Sequence, residues 1–212
     1  MYPINLKIAG RPCAVLGGGR VALRKVHALL SAQAMPTVIA PTAEPELAAL
    51  AADGRLCWQQ SCYVPGMLQG YFIVICATSD AAVNRAALQE ARQAGALVNS
   101  ATDPEDSDFF VPAKIERGDF LLTISTGGKS PAFTRVLRRQ LETEFGDTYG
   151  CWLERLAVLR GEMRQQLATS DDRQDFWRFA LDAHVMELVK QHKLKEAEEE
   201  IRNAINRFGT QS

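Results

Sequence analysis

Three consecutive glycines, Gly17, Gly18 and Gly19, separate a short apolar run from an amphipathic stretch. Cys13-Ala14-Val15-Leu16 reads as a buried strand, and the residues from Arg20 onward read as a helix. Gly17, Gly19 and Ala22 fit the small-residue pattern of a dinucleotide-binding turn. There the first residue permits a sharp turn and the second lets backbone approach a pyrophosphate. The third lets helix and strand pack closely. The free N–H groups and the dipole of a helix start favour phosphate. Gly17, Gly18 and Gly19 are therefore candidate cofactor-binding residues.

Two other clusters carry reactive or charged groups. Asp103, Glu105, Asp106 and Asp108 crowd around Pro104. A carboxylate there has the chemistry of a general base, and the plainer alternative is a polar turn. Thr126-Gly127-Gly128-Lys129-Ser130 ends like a phosphate-binding P-loop, but Thr123 stands where its first glycine belongs and Pro131 follows the serine. An ATPase is not expected. The loop either offers N–H groups and Lys129 to an anion or is a strand-to-helix turn capped by Ser130. Cys57 and Cys62 lack a second pair or a nearby histidine, and His27, His184 and His192 read as surface helix residues. No metal site is expected.

The elements that must position these groups alternate in type. Leu6–Ile8 reads as an edge strand, followed by the strand before Gly17. Ala22, Val26, Leu29 and Leu30 then follow helical spacing, with Arg24 and Lys25 off that stripe. Strands are expected at Thr37–Ala40, Leu56–Trp58, Phe72–Ala77 and Leu97–Asn99, and helices at Glu46–Ala52 and Ala81–Ala94. Phe72–Ala77 is continuously apolar, as a strand covered on both faces should be. Alternating strands and helices imply a doubly wound parallel sheet, with ligands at the carboxyl ends of its strands. Gly17, Pro41-Thr42, Thr78 and Asn99 to Asp103 should share that crevice. The strand end Ala40-Pro41-Thr42 carries neither the acid that commonly bonds an adenine ribose nor an arginine for a 2′-phosphate, so NAD and NADP are not separated there. Thr42 offers a hydroxyl in its place. Phe109–Val111 and Phe120–Ser125 read as further strands, and beyond Gly146 the chain reads as wholly helical.

The chain has 212 residues and a formal net charge of −1, enough for one large or two small domains. So little net charge argues against nucleic acid or a membrane surface as partner, and no run approaches a membrane-spanning length. The N-terminus does not read as a signal peptide. Five scattered cysteines suit reduced thiols in the cytoplasm.

Taken together these motifs resemble the precorrin-2 dehydrogenase family, the dehydrogenase part of siroheme synthases. The matching residues are Gly17 to Ala22 with Arg24-Lys25, Ala77-Thr78-Ser79-Asp80 with Asn84, and Asn99 with Asp103-Pro104-Glu105 and Asp108-Phe109. Thr126 to Pro131 and Phe176-Trp177 complete the set. The resemblance leaves no length here for the methyltransferase module fused to some siroheme synthases. It implies an α/β chain: a Rossmann-type, NAD-binding doubly wound parallel sheet (1–113), a small α+β dimerisation region (114–148) and a C-terminal helical domain (149–212), in a homodimer. It implies NAD-dependent oxidation of precorrin-2 to sirohydrochlorin on the route to siroheme or cobalamin. Arg20, Val21, Pro41, Thr42 and Thr78 are the further cofactor residues. Asn99, Lys114, Arg117, Lys129, Ser130, Arg135, Arg138 and Arg139 are the candidates to receive the substrate and its carboxylates. The family's usual aspartate two residues before the proline is here Thr102, and Asp103 follows it. Asp103 is therefore the catalytic candidate. Metal chelation, part of the bifunctional alternative, loses its usual residue. A non-catalytic nucleotide-sensing module is the rival from another class.

Overall fold

Cys13 to Leu16 fold as the buried centre of a parallel sheet because they offer apolar side chains to both faces. The computed structural model describes residues 1–208. Its first compact unit, 1–111, holds β1 (Pro12–Leu16), α1 (Arg20–Ser31), β2 (Met35–Ile39), α2 (Pro45–Ala52), β3 (Cys57–Gln59), β4 (Ile73–Cys76), α3 (Ala81–Gln93) and β5 (Leu97–Ser100). The strand order is β3-β2-β1-β4-β5, all parallel. The order reverses direction at β1, so the switch point lies between β1 and β4.

Alternate residues of these strands feed two separate cores. Cys13, Val15, Val38, Ile73 and Ile75 pack with Val26 and Leu29 of α1 and Leu47 and Leu50 of α2. Ala14, Leu16, Val74, Cys76 and Val98 pack on the other face with Ala87, Leu88 and Ala91 of α3. Full burial of each Leu, Ile or Val side chain stabilises by about 1.5–3 kcal/mol. The same burial pushes the thiols up, Cys13 to about 11 and Cys76 to about 12, so both stay protonated near neutral pH.

Two expected strands are not strands. Leu6–Ile8 is irregular chain ending in a turn, where Arg11 N donates to Ile8 O at 3.0 Å. Phe109–Val111 is also irregular. Phe109 packs into the core of the first face, and that burial, not a ladder, explains its apolar character.

The second unit, 112–208 of the described residues, opens with an antiparallel hairpin of β6 (Ala113–Arg117) and β7 (Phe120–Ile124). Helices α4 (Pro131–Glu144), α5 (Thr148–Gln166), α6 (Ser170–Ala180), α7 (Ala183–Lys190) and α8 (Leu194–Phe208) follow. Their core gathers Trp152, Leu159, Met163, Phe176, Val189 and Ile201. Phe120, Phe145 and Tyr149 pack ring against ring at 4.9–5.6 Å and fasten the hairpin to the helices. Among the described residues no helix is long and apolar enough to cross a membrane.

Candidate active site

The parallel strands bring their carboxyl ends to one edge of the first unit, where the candidate crevice is built. Gly17 has φ +107°, and a Cβ there would lie 2.6 Å from Ala77 O. Gly18 is tighter still, since its Cβ would stand 1.9 Å from Thr42 O. Its own carbonyl accepts from Glu44 N at 2.8 Å. These two glycines let the β1 turn nest between the loops after β2 and β4. Gly19 differs. It has ordinary φ and ψ, and a Cβ there would meet nothing within 4 Å. It is the N-cap of α1 and offers no side chain to the helix.

The first amides of α1 therefore lack a capping side chain. In contrast, Asp80 caps α3 by accepting from Ala82 N and Val83 N at 2.8 and 3.1 Å. Orphan amides in open space beside a glycine are a site for phosphate oxygens. Arg20 and Val21 are exposed on this first turn, with Val21 41% exposed despite its apolar side chain. Pro41 and Thr42 lie exposed after β2. The arrangement fits a dinucleotide lying across the switch point.

Thr78 contributes differently from the expectation. Its hydroxyl donates to Asn84 Oδ1 at 2.7 Å and accepts from Asp80 N at 3.2 Å. Asn84 is buried and donates back to Thr78 O at 3.1 Å. The pair shapes the β4–α3 turn, so the Thr78 side chain works on its own loop.

Asn99 is also an internal brace. It is only 5% exposed. Its Oδ1 accepts from Lys25 Nζ at 2.9 Å, and its Nδ2 donates to Phe109 O at 2.9 Å. Both ends of its amide are thus engaged within the fold, which makes Asn99 a brace of the crevice wall. Burial, and behind it the neighbouring Arg24, pulls the Lys25 ammonium below the usual lysine value. Sequence reasoning placed Lys25 off the apolar stripe and within the family motif, but gave it no role. Its spacing carried no sign that it would reach a strand 74 positions away.

The loop after β5 sorts its carboxylates. Asp108 is tied down, accepting from Val98 N at 2.9 Å and from Arg92 Nε at 3.1 Å. Asp103 stays exposed at the start of a single turn, Pro104–Asp106. Its Oδ1 accepts from Glu105 N at 3.1 Å, and its backbone N–H donates to Ser100 Oγ at 3.0 Å. Thr102 Oγ1 lies 3.4 Å from Ser100 Oγ. The proline turn presents Asp103 at the strand end, with Oδ2 left without a hydrogen bond among the described residues.

In the second unit the expected substrate residues divide into two groups. Lys114 pairs with Glu116, Arg117 Nε lies 3.0 Å from Asp147 Oδ1, and Arg138 pairs with Glu142 at 2.7 Å. Ser130 is occupied as the N-cap of α4, accepting from Phe133 N at 3.2 Å. Lys129, Arg135 and Arg139 are exposed and have no carboxylate partner among the described residues. No group of three or more His, Cys, Asp or Glu among the described residues is placed to hold a metal.

Comparison with known proteins bears directly on the glycine turn. Residues 4–113 match a family model described as "Putative NAD(P)-binding". The chain belongs to this NAD(P)-binding family. Further along, 122–144 match "Sirohaem biosynthesis protein central" and 148–205 match "Sirohaem synthase dimerisation region". The named dimerisation match thus falls C-terminal to the 114–148 segment expected to pair. Among curated relatives, a siroheme synthase of Methylobacillus flagellatus is 40% identical over 82% of this chain and 38% of its own length. One from Methylococcus capsulatus is 38% identical over 92% of this chain and 41% of its own. The chain spans about two fifths of the length of these relatives. Among solved structures, "SirC, precorrin-2 dehydrogenase" superposes with a TM-score of 0.77 at 27% identity, covering 96% of this chain and all of that one. The resemblance to the dehydrogenase part of siroheme synthases, and the Rossmann-type fold it implied, are both borne out.

Proposed function

We propose that this chain is an NAD-dependent dehydrogenase that converts precorrin-2 to sirohydrochlorin in siroheme or cobalamin synthesis. The uncapped start of α1 at the switch point, beside Gly19, is the observation that carries it. Full-length likeness to a precorrin-2 dehydrogenase supplies the substrate.

The reaction removes two hydrogens, one as hydride and one as a proton. NAD, when bound, supplies the hydride acceptor. The amides of the first turn of α1 would hold its phosphates, the Thr42 hydroxyl would serve a ribose, and exposed Val21 would offer an apolar contact. Asp103 Oδ2 takes the proton or orients the carbon that loses it. Lys129, Arg135 and Arg139 receive substrate carboxylates through charge-assisted hydrogen bonds. A positioned general base contributes about 10²–10⁴ in rate. Single-turnover oxidation should therefore fall about tenfold or more in Asp103→Asn and hold in Thr102→Ala. A wild-type rate in Asp103→Asn removes Asp103 from the reaction.

The active species in this reading is a homodimer. α4 has no buried residue, and Phe133 and Val136 on it are 55% and 51% exposed. A second copy covers such a face at little cost. The division into 1–113, 114–148 and 149–212 is kept as the functional layout, and the cytoplasm as the compartment, which suits five free thiols. The bifunctional alternative, in which the chain also inserts iron, rests on relatives named siroheme synthases. Incubating purified chain with NAD and precorrin-2 tests the proposal. Formation of NADH together with the sirohydrochlorin spectrum is expected. NAD binding without turnover would leave a nucleotide-sensing module instead.

A further inference from the structure

A cavity of about 800 Å³ lies between α5 and α6 in the second unit. Leu153, Ala157, Arg160 and Arg164 reach it from α5, and Ser170, Gln174, Trp177 and Leu181 from α6 and its end. Both sets follow 4-3-4 spacing, one face of a helix each. The two helices leave a short joint, 167–169, and each packs on α8 more than on the other, which keeps the groove open.

Its charge is one-sided. Arg160, Arg164, Arg173 and Arg178 line it, and no carboxylate does. Arg155 and Arg202, which lie between α5 and α8, are neutralised by Glu198 and Glu162 at 2.6–3.0 Å. Arg160 and Arg164 have no such partner among the described residues. Arg173 is fixed by donating to Leu167 O and Ala168 O at 2.9 and 3.0 Å, two carbonyls that leave its charge intact. Only Arg178 meets an acid, Asp175, at 3.3 Å on the open surface. The walls add Leu153, Leu156 and Leu181 and the half-buried indole of Trp177.

Four guanidinium groups around an apolar, aromatic surface match a ligand with a flat hydrophobic body and several carboxylates at its edge. The volume is at the upper end of the roughly 300–1,000 Å³ of small-molecule clefts. We infer that the α5–α6 groove is a binding site for a polycarboxylate tetrapyrrole, held by Arg160, Arg164 and Arg173 with its ring against Trp177. The inference rests on the reading of the chain as an enzyme acting on such a macrocycle.

The test titrates the full chain with uroporphyrin III, which carries eight carboxylates, and follows the Soret band and tryptophan emission. Binding should weaken by about tenfold or more in Arg160→Glu/Arg164→Glu and persist in Arg160→Lys/Arg164→Lys. Both positions are exposed, and Arg160→Gln alone serves if the double reversal does not fold. NAD affinity should stay at the wild-type value throughout. Trp177→Phe should reduce the fraction of emission quenched. Affinity should fall from uroporphyrin to the four-carboxylate coproporphyrin and rise as salt is removed. Unchanged uroporphyrin affinity in the charge-reversed variant overturns the site. So does unchanged affinity with a fall to monomer mass in sedimentation, which would make the groove a face covered by a second copy. Displacement of uroporphyrin by equimolar ATP would reassign it to phosphates. Capture of uroporphyrin by these arginines without oxidation of precorrin-2 would retire the dehydrogenase reading and leave the groove standing.

Discussion

Two turns in this molecule lead from a strand to a helix through consecutive glycines, and they meet the helix amides in opposite ways. In the β7–α4 turn, Gly127 and Gly128 both have positive φ. Ser130 then caps α4, and Thr126 Oγ1 accepts from Ser130 N at 3.3 Å. That turn satisfies itself. In the β1–α1 turn, Gly17 and Gly18 are pressed against neighbouring backbone, while Gly19 leaves the first amides of α1 open. Glycine content alone does not distinguish a phosphate site from a tight corner. The absence of a resident acceptor does.

The contrast is broken most severely at Gly18. A Cβ placed 1.9 Å from a backbone oxygen forces the β1 and β2 loops apart. Gly18→Ala should cost about 3 kcal/mol, the upper end of overpacking, and lower NAD affinity with it. Urea unfolding and NAD titration on the same preparation check both.

Gly19→Asp should separate the two quantities. The position accepts a side chain without strain, and a carboxylate there caps α1 itself. NAD affinity should drop by about a hundredfold, worth roughly 2.7 kcal/mol, while stability holds or rises by roughly 0.3 kcal/mol, since glycine is already a tolerable N-cap. Unchanged NAD affinity in this folded variant would remove the glycine turn from the cofactor site. Ser130→Ala is the reciprocal change. It should lower stability by about 1 kcal/mol and leave NAD affinity as it was.

The smallest effect comes from a third way of meeting loop amides. Glu90 on α3 accepts from Gly66 N and Leu68 N at 2.9 and 2.8 Å, and from the Tyr63 hydroxyl. It is a resident anion in place of a bound one. Burial opposes its charge, but these three donors outweigh it and hold its carboxyl below the ordinary 4.5. A depressed carboxyl stabilises the fold above its unfolded value, and that contribution disappears as pH falls through the folded one. Glu90→Gln should therefore be less stable than wild type by under about 1 kcal/mol at neutral pH, after solvent screening. The two should converge in acid unfolding below pH 4.5.

Much of the sheet was legible in the sequence because its strands are short, apolar and punctuated. Cys13–Leu16 and Ile73–Cys76 admit no other reading once glycines and caps bound them. Leu6–Ile8 and Phe109–Val111 carry the same composition without a partner edge to pair with, and pairing is not a local property. The candidate site was legible where backbone dictates it, at Gly17, Gly18 and Gly19. It was less so where side chains choose among hydrogen bonds. Nothing near Thr78 or Asn99 announces that each will be occupied within the fold. Nothing near Asp103 and Asp108 tells which carboxylate will be tied to the strand. The arginine groove was missed although its 4-3-4 spacing is visible, because spacing shows a helix face and not what lies opposite.

The Lys25–Asn99 hydrogen bond sets an order of assembly. It joins the first helix to the last strand of the sheet across 74 positions of chain, and so long a closure is entropically costly until β4 and β5 are docked. A growing polypeptide emerges with its glycine turn early and the strand that braces the following helix late. Until Asn99 has been added, Lys25 has no amide to receive its ammonium, and α1 rests on its apolar face against β1, β2 and β4 without that brace. Within the first unit, the first motif to be synthesised is thus among the last to be mechanically complete.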